Sequence, residues 1–291
     1  MTTTFRFLPC LDSPGMAERC RADLDIPRDH AAELGRSAVA ATQQGSFINA
    51  SGKRVDWSEA TEVAIASTVS IAPEAPLPSA PATLHETTEV QVSNETTLAA
   101  ARRLTDAGRR PLALNFANGV HPGGGFLNGA RAQEETLCRS SALYSTLTGD
   151  RMYAHHQGRP TPDSTAWSIL SPRVPVFRID DGTALEDYWL LDFLTCAAPY
   201  APTVGIELSA DLLAKRVMRV LSIARAWEYD TLILGAWGCG AFQNNPTQTA
   251  RDFRQALEAD FGGAFSHIAF AITDWSAERR YLGPFRDVFS D

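Results

Sequence analysis

Two stretches of the chain place chemically capable residues at close spacing. The first is Gly123-Gly124-Gly125, followed after seven residues by Gln133-Glu134-Glu135. The second is Gly238-Cys239-Gly240-Ala241-Phe242. Glycine tolerates positive φ and lets a ligand approach the backbone closely. Successive amide hydrogens in such a loop, with the partial positive charge of a following helix start, make an anion site. One glycine-rich turn is often only a tight turn. Two of them, each between an apolar strand and a helix, could together hold the two phosphates of an ADP-like group. Neither is a Walker loop, since no Gly-Lys-Ser/Thr follows, and neither has G-x-G-x-x-G spacing.

Adjacent residues on a helix point about 100° apart, so Glu134 and Glu135 cannot share one task. In isolation, acidic residues in a first helical turn simply complement the helix dipole. Their place directly after an anion-binding loop favours a functional role. A glutamate free in water, with a pKa near ~4.3, is ionised at neutral pH. An acid catalyst at this place therefore needs burial, or a diphosphate bound beside it, to hold its proton.

The elements that must position these residues are legible in the apolar pattern. Leu112–Phe116 is a short, nearly continuous apolar strand leading into the triglycine loop, and a helix is predicted from about Gln133. Leu137, Ser140, Tyr144 and Leu147 recur at helical spacing and form its inner face. Thr231–Leu234 is the strand before the second loop, and Pro246–Ala259 the helix after it. Further strands are predicted over 88–92, 167–170, 174–177, 189–195 and 267–272, with Asp180–Thr183 as a turn. Helices are predicted over 28–44, after a cap at 94–97, and from Ser209. Strands alternating with helices mean a layered α/β domain whose ligand loops leave the carboxyl ends of central strands. A proline-rich link, Ala72–Pro81, suggests a boundary. Residues 1–85 then form a helical N-terminal extension with its linker, and residues 86–291 the main domain.

The composition excludes several function classes. The 291 residues carry a net charge of −8, with 44% apolar and 21% charged residues, as in an ordinary soluble globule. Nothing in that balance suggests a broad grip on nucleic acid or an anionic membrane. Lys53 and Lys215 are the only lysines, so an anion site must use backbone amides, helix ends or arginines. The five cysteines, Cys10, Cys20, Cys138, Cys196 and Cys239, show no C-x-x-C pair. Reduced thiols in a cytoplasm are expected, with no metal and no cofactor. The N-terminus lacks the basic-then-apolar pattern of a signal peptide, and no run is long enough to span a membrane.

Other candidates have plainer readings. His121, a lone loop histidine, is assigned no role. His155 and His156 sit in a polar stretch, 150–164, expected as a solvated surface connection. Cys239 lacks a histidine partner and is read as a small residue the turn needs. Arg102-Arg103 and Arg109-Arg110 are read as a solvated helix flank.

At the two loops the chain resembles the bacterial-type poly(ADP-ribose) glycohydrolases. The signature Gly-Gly-Gly, six to eight residues, then Gln-Glu-Glu stands here at 123–125 and 133–135. Stretches from Gly45, Asn94, Ser171, Leu234 and Phe270 are similar too and occur in order from about Leu34 to the end. The resemblance implies a macrodomain-like, three-layer α/β/α fold with a mixed sheet and a smaller helical N-terminal extension. It implies a glycosidase that cuts the ribose–ribose bond of poly(ADP-ribose), from the chain end, and releases ADP-ribose. Such an enzyme reverses ADP-ribosylation, as in a bacterial DNA damage response. By position, Glu135 is the implied catalytic acid and Glu134 holds the ribose hydroxyls. Asn115, Asn118 and Gln133 belong to the implied substrate site. Gly123, Gly124, Gly125 and Phe126 match one diphosphate loop, and Gly238, Cys239, Gly240, Ala241 and Phe242 the other. Asn94 or Glu95 would reach the adenine end. The implied partners are poly(ADP-ribose) or ADP-ribosylated macromolecules, with no membrane and no metal, and the chain is expected to be a monomer. Tyr200 departs from the family, where Ala-Ala-Pro-Asn is expected at 197–200. Two alternatives stay open: a hydrolase of single ADP-ribose units on protein or nucleic acid, and a macrodomain that binds ADP-ribose without cleaving it.

Overall fold

The computed structural model describes residues 4–80 and 85–290. Among the described residues there are ten strands: β1 (Thr4–Phe7), β2 (Ser46–Ile48), β3 (Arg54–Asp56), β4 (Val69–Ile71), β5 (Thr87–Ser93), β6 (Pro111–Ala117), β7 (Ser168–Arg178), β8 (Ala184–Ala197), β9 (Thr231–Leu234) and β10 (His267–Ala271). Eight of them form one sheet in the order β1-β5-β10-β9-β6-β8-β7-β4. From β1 to β8 all neighbours are parallel, while β7 and β4 run antiparallel at the far edge. β2 and β3 make a separate hairpin.

The helices are α1 (Pro14–Leu24), α2 (Arg28–Gln44), α3 (Ser58–Ala66), α4 (Thr97–Asp106), α5 (Gln133–Ser140), α6 (Leu143–Leu147), α7 (Arg151–Gln157), α8 (Ala201–Val204), α9 (Ile206–Ala226), α10 (Pro246–Asp260) and α11 (Leu282–Val288). Among the described residues, no helix is long and apolar enough to cross a membrane. Side chains alternate across a strand, and here they feed two cores. Leu112 and Leu114 of β6, with Ile268 and Phe270 of β10, pack against α9, α10 and α11. Ala113 of β6 and Ala269 of β10 face the other way, toward α2 to α7. The result is the three-layer α/β/α architecture, with parallel strands buried on both faces.

Residues before 85 join this body. β1 and β4 are its two edge strands, and α2 lies against α5 and the Phe126–Asn128 turn. The boundary expected at 85, and Pro81 at the end of the proline-rich link, adjoin or fall within residues 81–84, outside the described residues. α2 stops at Gly45 (φ 67°), whose amide reaches the carbonyls of Ala41 and Thr42. Gly35 of the same helix lies so close to the Phe126 carbonyl that an added Cβ would come within 2.7 Å of it.

Three elements differ from their sequence reading. The two strands expected over 167–170 and 174–177 are one strand, β7 (Ser168–Arg178), with a register shift between Ser171 and Val174, where Arg173 takes φ 56°. The helix from Gln133 breaks at Ser141 (φ −146°), which bridges to Val176 of β7 instead of continuing. The stretch expected as a solvated connection contains α7, which buries His156 (3% exposed).

Candidate active site

The carboxyl ends of β5, β6, β9 and β10 open into one cavity of about 640 Å³. α5 aims its N-terminus at it, and Gln133 fixes that aim. Its side-chain Oε1 accepts the Phe116 N–H at 2.9 Å, and its Nε2 donates to the Leu114 carbonyl at 2.8 Å and to Thr97 Oγ1 at 3.1 Å. The amide thus supplies backbone partners to β6 past Ala113, where its pairing with β9 ends, and joins it to α4. Two consecutive glutamates then follow at a fixed place.

Glu134 is 3% exposed. Its Oε2 accepts the Asn118 N–H at 2.7 Å, and Asn115 Nδ2 lies 3.4 Å from its Oε1. Burial pushes its carboxyl up to about 8, opposed by the hydrogen bond from Asn118 and assisted by the charge of Glu135. Glu135 points toward the triglycine loop, and its Oε1 accepts the Gly125 N–H at 3.0 Å. Gly123 and Gly124 have φ 70° and 58°, the left-handed region that favours glycine. An added Cβ at Gly124 would collide with Glu135 Oε1. Phe126 is the loop's anchor: it is buried, packs under Gly123, and meets the Tyr144 ring at 4.8 Å.

The opposite wall is the second glycine loop. Gly238 (φ 76°), Gly240, Ala241 and Phe242 line the cavity. Tyr200 stands edge-on to Phe242, with ring centres 5.7 Å apart, and the Ala201 N–H donates to the Phe242 carbonyl at 3.1 Å. Cys239 turns away, with its Sγ near Thr249 Oγ1 and the Trp237 carbonyl. Burial raises its thiol to about 12, so it is no thiolate.

The cavity therefore gathers Glu134, Glu135, Gln133, Asn118, Glu95, Gly238, Gly240, Ala241 and Phe242 from the expected set. The rest of that set lies behind the wall. Asn115 is wholly buried and braces Glu134 and Thr195 Oγ1. Asn94 is buried too and ties Asp12 Oδ1 to the Asp274 carbonyl, at 2.9 and 2.7 Å. Gly123, Gly124 and Gly125 turn their backbone to the two glutamates. Glu95 lines the wall while paired with Arg103 at 2.5 Å and with Ser93 Oγ.

Several wall residues were missed from sequence. Asp180, in the turn after β7, accepts from Thr96 Oγ1 at 2.7 Å, and burial pushes its carboxyl up to about 6. Asp274, Trp275, Arg280 and Tyr281 close the end near β10, and Leu24 and Arg131 the side near α1. Arg131 is held by Asp25 Oδ1 and the Ile26 carbonyl, at 2.7 and 2.8 Å. Asp180 and the residues after β10 were signalled only by the Asp180–Thr183 turn and the segment after β10, neither of which carries spacing that marks a site, and Arg131 lies within the spacer of the signature, whose residue types are not fixed.

Comparison with known proteins agrees with this geometry. The family description "Microbial-type PARG, catalytic domain" matches residues 35–179. The chain is similar to the crystal structure of poly(ADP-ribose) glycohydrolase from Thermomonospora curvata, with 36% identity and a TM-score of 0.82 over 89% of this chain and 99% of that one. The same enzyme bound to the inhibitor ADP-HPD matches at 38% identity with the same TM-score and coverage. Poly(ADP-ribose) glycohydrolase from Deinococcus radiodurans in complex with ADP-ribose matches at 37% identity and a TM-score of 0.72, over 78% of this chain and 96% of that one. No curated protein sequence matches the chain. A family description ending just after β7, and similarity over 89% and 78% of the chain to solved relatives at 36% and 37% identity, place the chain in one group: it belongs to the microbial-type poly(ADP-ribose) glycohydrolase family.

Proposed function

We propose that this protein hydrolyses the O-glycosidic ribose–ribose bond of poly(ADP-ribose) and releases ADP-ribose, with Glu135 as its acid and base. One observation carries the assignment of the acid. Glu135 sits at the end of an ADP-ribose-sized cavity with Oε1 held by Gly125 N–H, and no described residue donates to Oε2. The free oxygen is the one placed to deliver a proton. Glu135 gives it to the 2′ oxygen leaving C1″, the ribose takes on oxocarbenium character, and water attacks C1″. The water's proton returns to Glu135, so the acid is restored in each cycle.

Glu134 accepts from the hydroxyls of the same ribose through a carboxyl already oriented by Asn118 and Asn115. The Gly238–Phe242 loop holds the diphosphate, and Phe242 covers the ribose. The adenine lies toward Glu95, Trp275 and Tyr281, which line the other end of the cavity. One cleft with one acid differs from the usual glycosidase plan of two carboxyls facing across the bond. The protein acts as a monomer in the cytoplasm, where its five free cysteines stay reduced.

The test is release of free ADP-ribose from purified poly(ADP-ribose). Release of ADP-ribose units from chain ends is the expected result. If ADP-ribose is bound but none is released from the polymer, the reading fails. Release from mono-ADP-ribosylated protein or nucleic acid instead would make the chain a hydrolase of single units.

A further inference from the structure

The second glycine loop is held in shape by one side chain outside the cavity. Asn244 is 5% exposed and does not line the wall. Its two Nδ2 hydrogens reach the Pro199 carbonyl at 2.9 Å and the Gly238 carbonyl at 3.1 Å, and the Phe242 carbonyl lies 3.5 Å from the same nitrogen. Its Oδ1 accepts from Ser209 Oγ at 2.6 Å. The three carbonyls demand a donor and the hydroxyl supplies one, so the orientation of the amide is settled by its partners. The loop also closes on itself through Asn244 N–H to the Gly238 carbonyl at 3.0 Å. Gly238 lacks a Cβ where one would lie 2.8 Å from Asn244 Nδ2. The carboxamide therefore occupies the space that the glycine leaves open.

These contacts join two segments that leave different strands. Pro199 follows β8, and Gly238 and Phe242 follow β9. Ser209 belongs to α9, so a single amide couples that helix to both loops.

We infer that Asn244 is a positioning residue for diphosphate binding: it presets the Gly238–Phe242 loop and, through Pro199, the Tyr200 ring that backs Phe242. This rests on the reading of that loop as the diphosphate site. Preset loop amides lose little freedom when an anion arrives, so their cost is met on folding and not on binding. Among the described residues the Ser209 hydroxyl donates to the Asn244 amide and not to either loop, so it acts by orienting that amide. The next residue separates this role from ordinary stability. Asn245 Oδ1 caps α10 by accepting from Thr247 N–H and Gln248 N–H, at 2.9 and 3.0 Å, and holds no part of the loop.

The experiment measures affinity for ADP-ribose and for adenosine, with steady-state KM and kcat on poly(ADP-ribose), for wild type, Asn244→Ala, Ser209→Ala, the double variant and Asn245→Ala. Asn244→Ala is expected to weaken ADP-ribose binding about tenfold and to raise KM more than it lowers kcat, while adenosine binding stays the same. Ser209→Ala is expected to shift both in the same direction by about threefold, and to add nothing in the Asn244→Ala background. Asn245→Ala is expected to lower the melting temperature and leave the ratio of ADP-ribose to adenosine affinity intact. Parallel loss of both ligands in Asn244→Ala, or an unchanged ADP-ribose affinity, would overturn the inference. An additive effect of Ser209→Ala in the double variant would overturn it as well. Wild type that binds ADP-ribose no better than adenosine would instead sink the reading of the loop as a diphosphate site.

Discussion

The main-chain N–H of Gly125 donates to Oε1 of Glu135 at 3.0 Å, so the triglycine loop grips the acid itself. From sequence the loop reads as a phosphate cradle. In the fold its left-handed glycines bring the backbone close enough to fix one carboxyl oxygen, and the neighbouring Phe126 pins the loop from below.

That grip makes Gly124 a sensitive position. Gly124→Ala would place a methyl group on Glu135 Oε1 at a φ of 58°, which alanine rarely adopts. Turnover should fall about a hundredfold, since a small displacement of a reacting group is costly, while ADP-ribose binding falls much less. Single-turnover kinetics beside a binding titration will check this. Equal losses in both would mean the loop serves binding and not the acid.

α2 supports the same loop from outside. In Gly35→Ala the new methyl would lie 2.7 Å from the Phe126 carbonyl, against rigid backbone. The expected cost is about 1–3 kcal/mol, as for other overpacked sites. Chemical denaturation should report that loss, accompanied by reduced turnover. A variant as stable as wild type would show that α2 can move away freely.

Glu134 sets a stability profile on the alkaline side. Its folded pKa of about 8 lies above the ordinary value of 4.5, so the folded state holds this proton more tightly than the unfolded state. Its contribution is present below pH 4.5 and is lost as pH rises through about 8. Glu134→Gln should therefore gain on wild type as pH rises, by roughly 5 °C in melting temperature at pH 9 relative to pH 5. Thermal melts across that range decide it; a difference independent of pH would contradict the assignment.

His156 works on the acid side with the opposite sign. Thr165 N–H donates to its Nε2 at 3.0 Å, so Nδ1 carries the proton and donates to the Gly119 carbonyl at 2.9 Å. Burial lowers its pKa to about 4, and the unfolded state takes up this proton first as pH falls from about 6.5. Wild type should lose stability between pH 6.5 and 4. His156→Gln, less stable at pH 7, should lose less over that interval. His267, also lowered to about 4 by burial, retains its share in both proteins. Matching slopes for the two proteins would count against a buried neutral His156.

The central strands and the two loops were readable because they rest on strong local signals. β6, β9 and β10 are short, nearly continuous apolar runs, and β5 alternates. Gly-Gly-Gly before Gln-Glu-Glu has a specific spacing. The edge strands β1 and β4 were not readable, since four and three residues show no period. α7 was hidden because its polar sequence buries only Met152, Tyr153 and His156. The break at Ser141 comes from its bridge to β7, a tertiary contact that local pattern does not carry. Asn94 and Asn115, expected at the ligand, are buried and do not line the cavity, because spacing shows proximity to a loop but not which way a side chain turns. Asp180 reaches the cavity only through the packing of the β7 turn, far from the signature in sequence, and Arg131, inside the signature's spacer, is turned by its contacts with Asp25 and Ile26 near α1.

The account turns on Glu135, and Glu135→Gln tests it most directly. The substitution keeps the side chain's size and its acceptor for Gly125 N–H but cannot deliver and recover a proton. ADP-ribose affinity, and turnover of poly(ADP-ribose), should be measured on the same preparations of wild type and variant. The expected result is affinity within a few-fold of wild type and turnover reduced by about a thousandfold or more. A variant that binds ADP-ribose and still turns over at the wild-type rate would contradict the assignment of the acid.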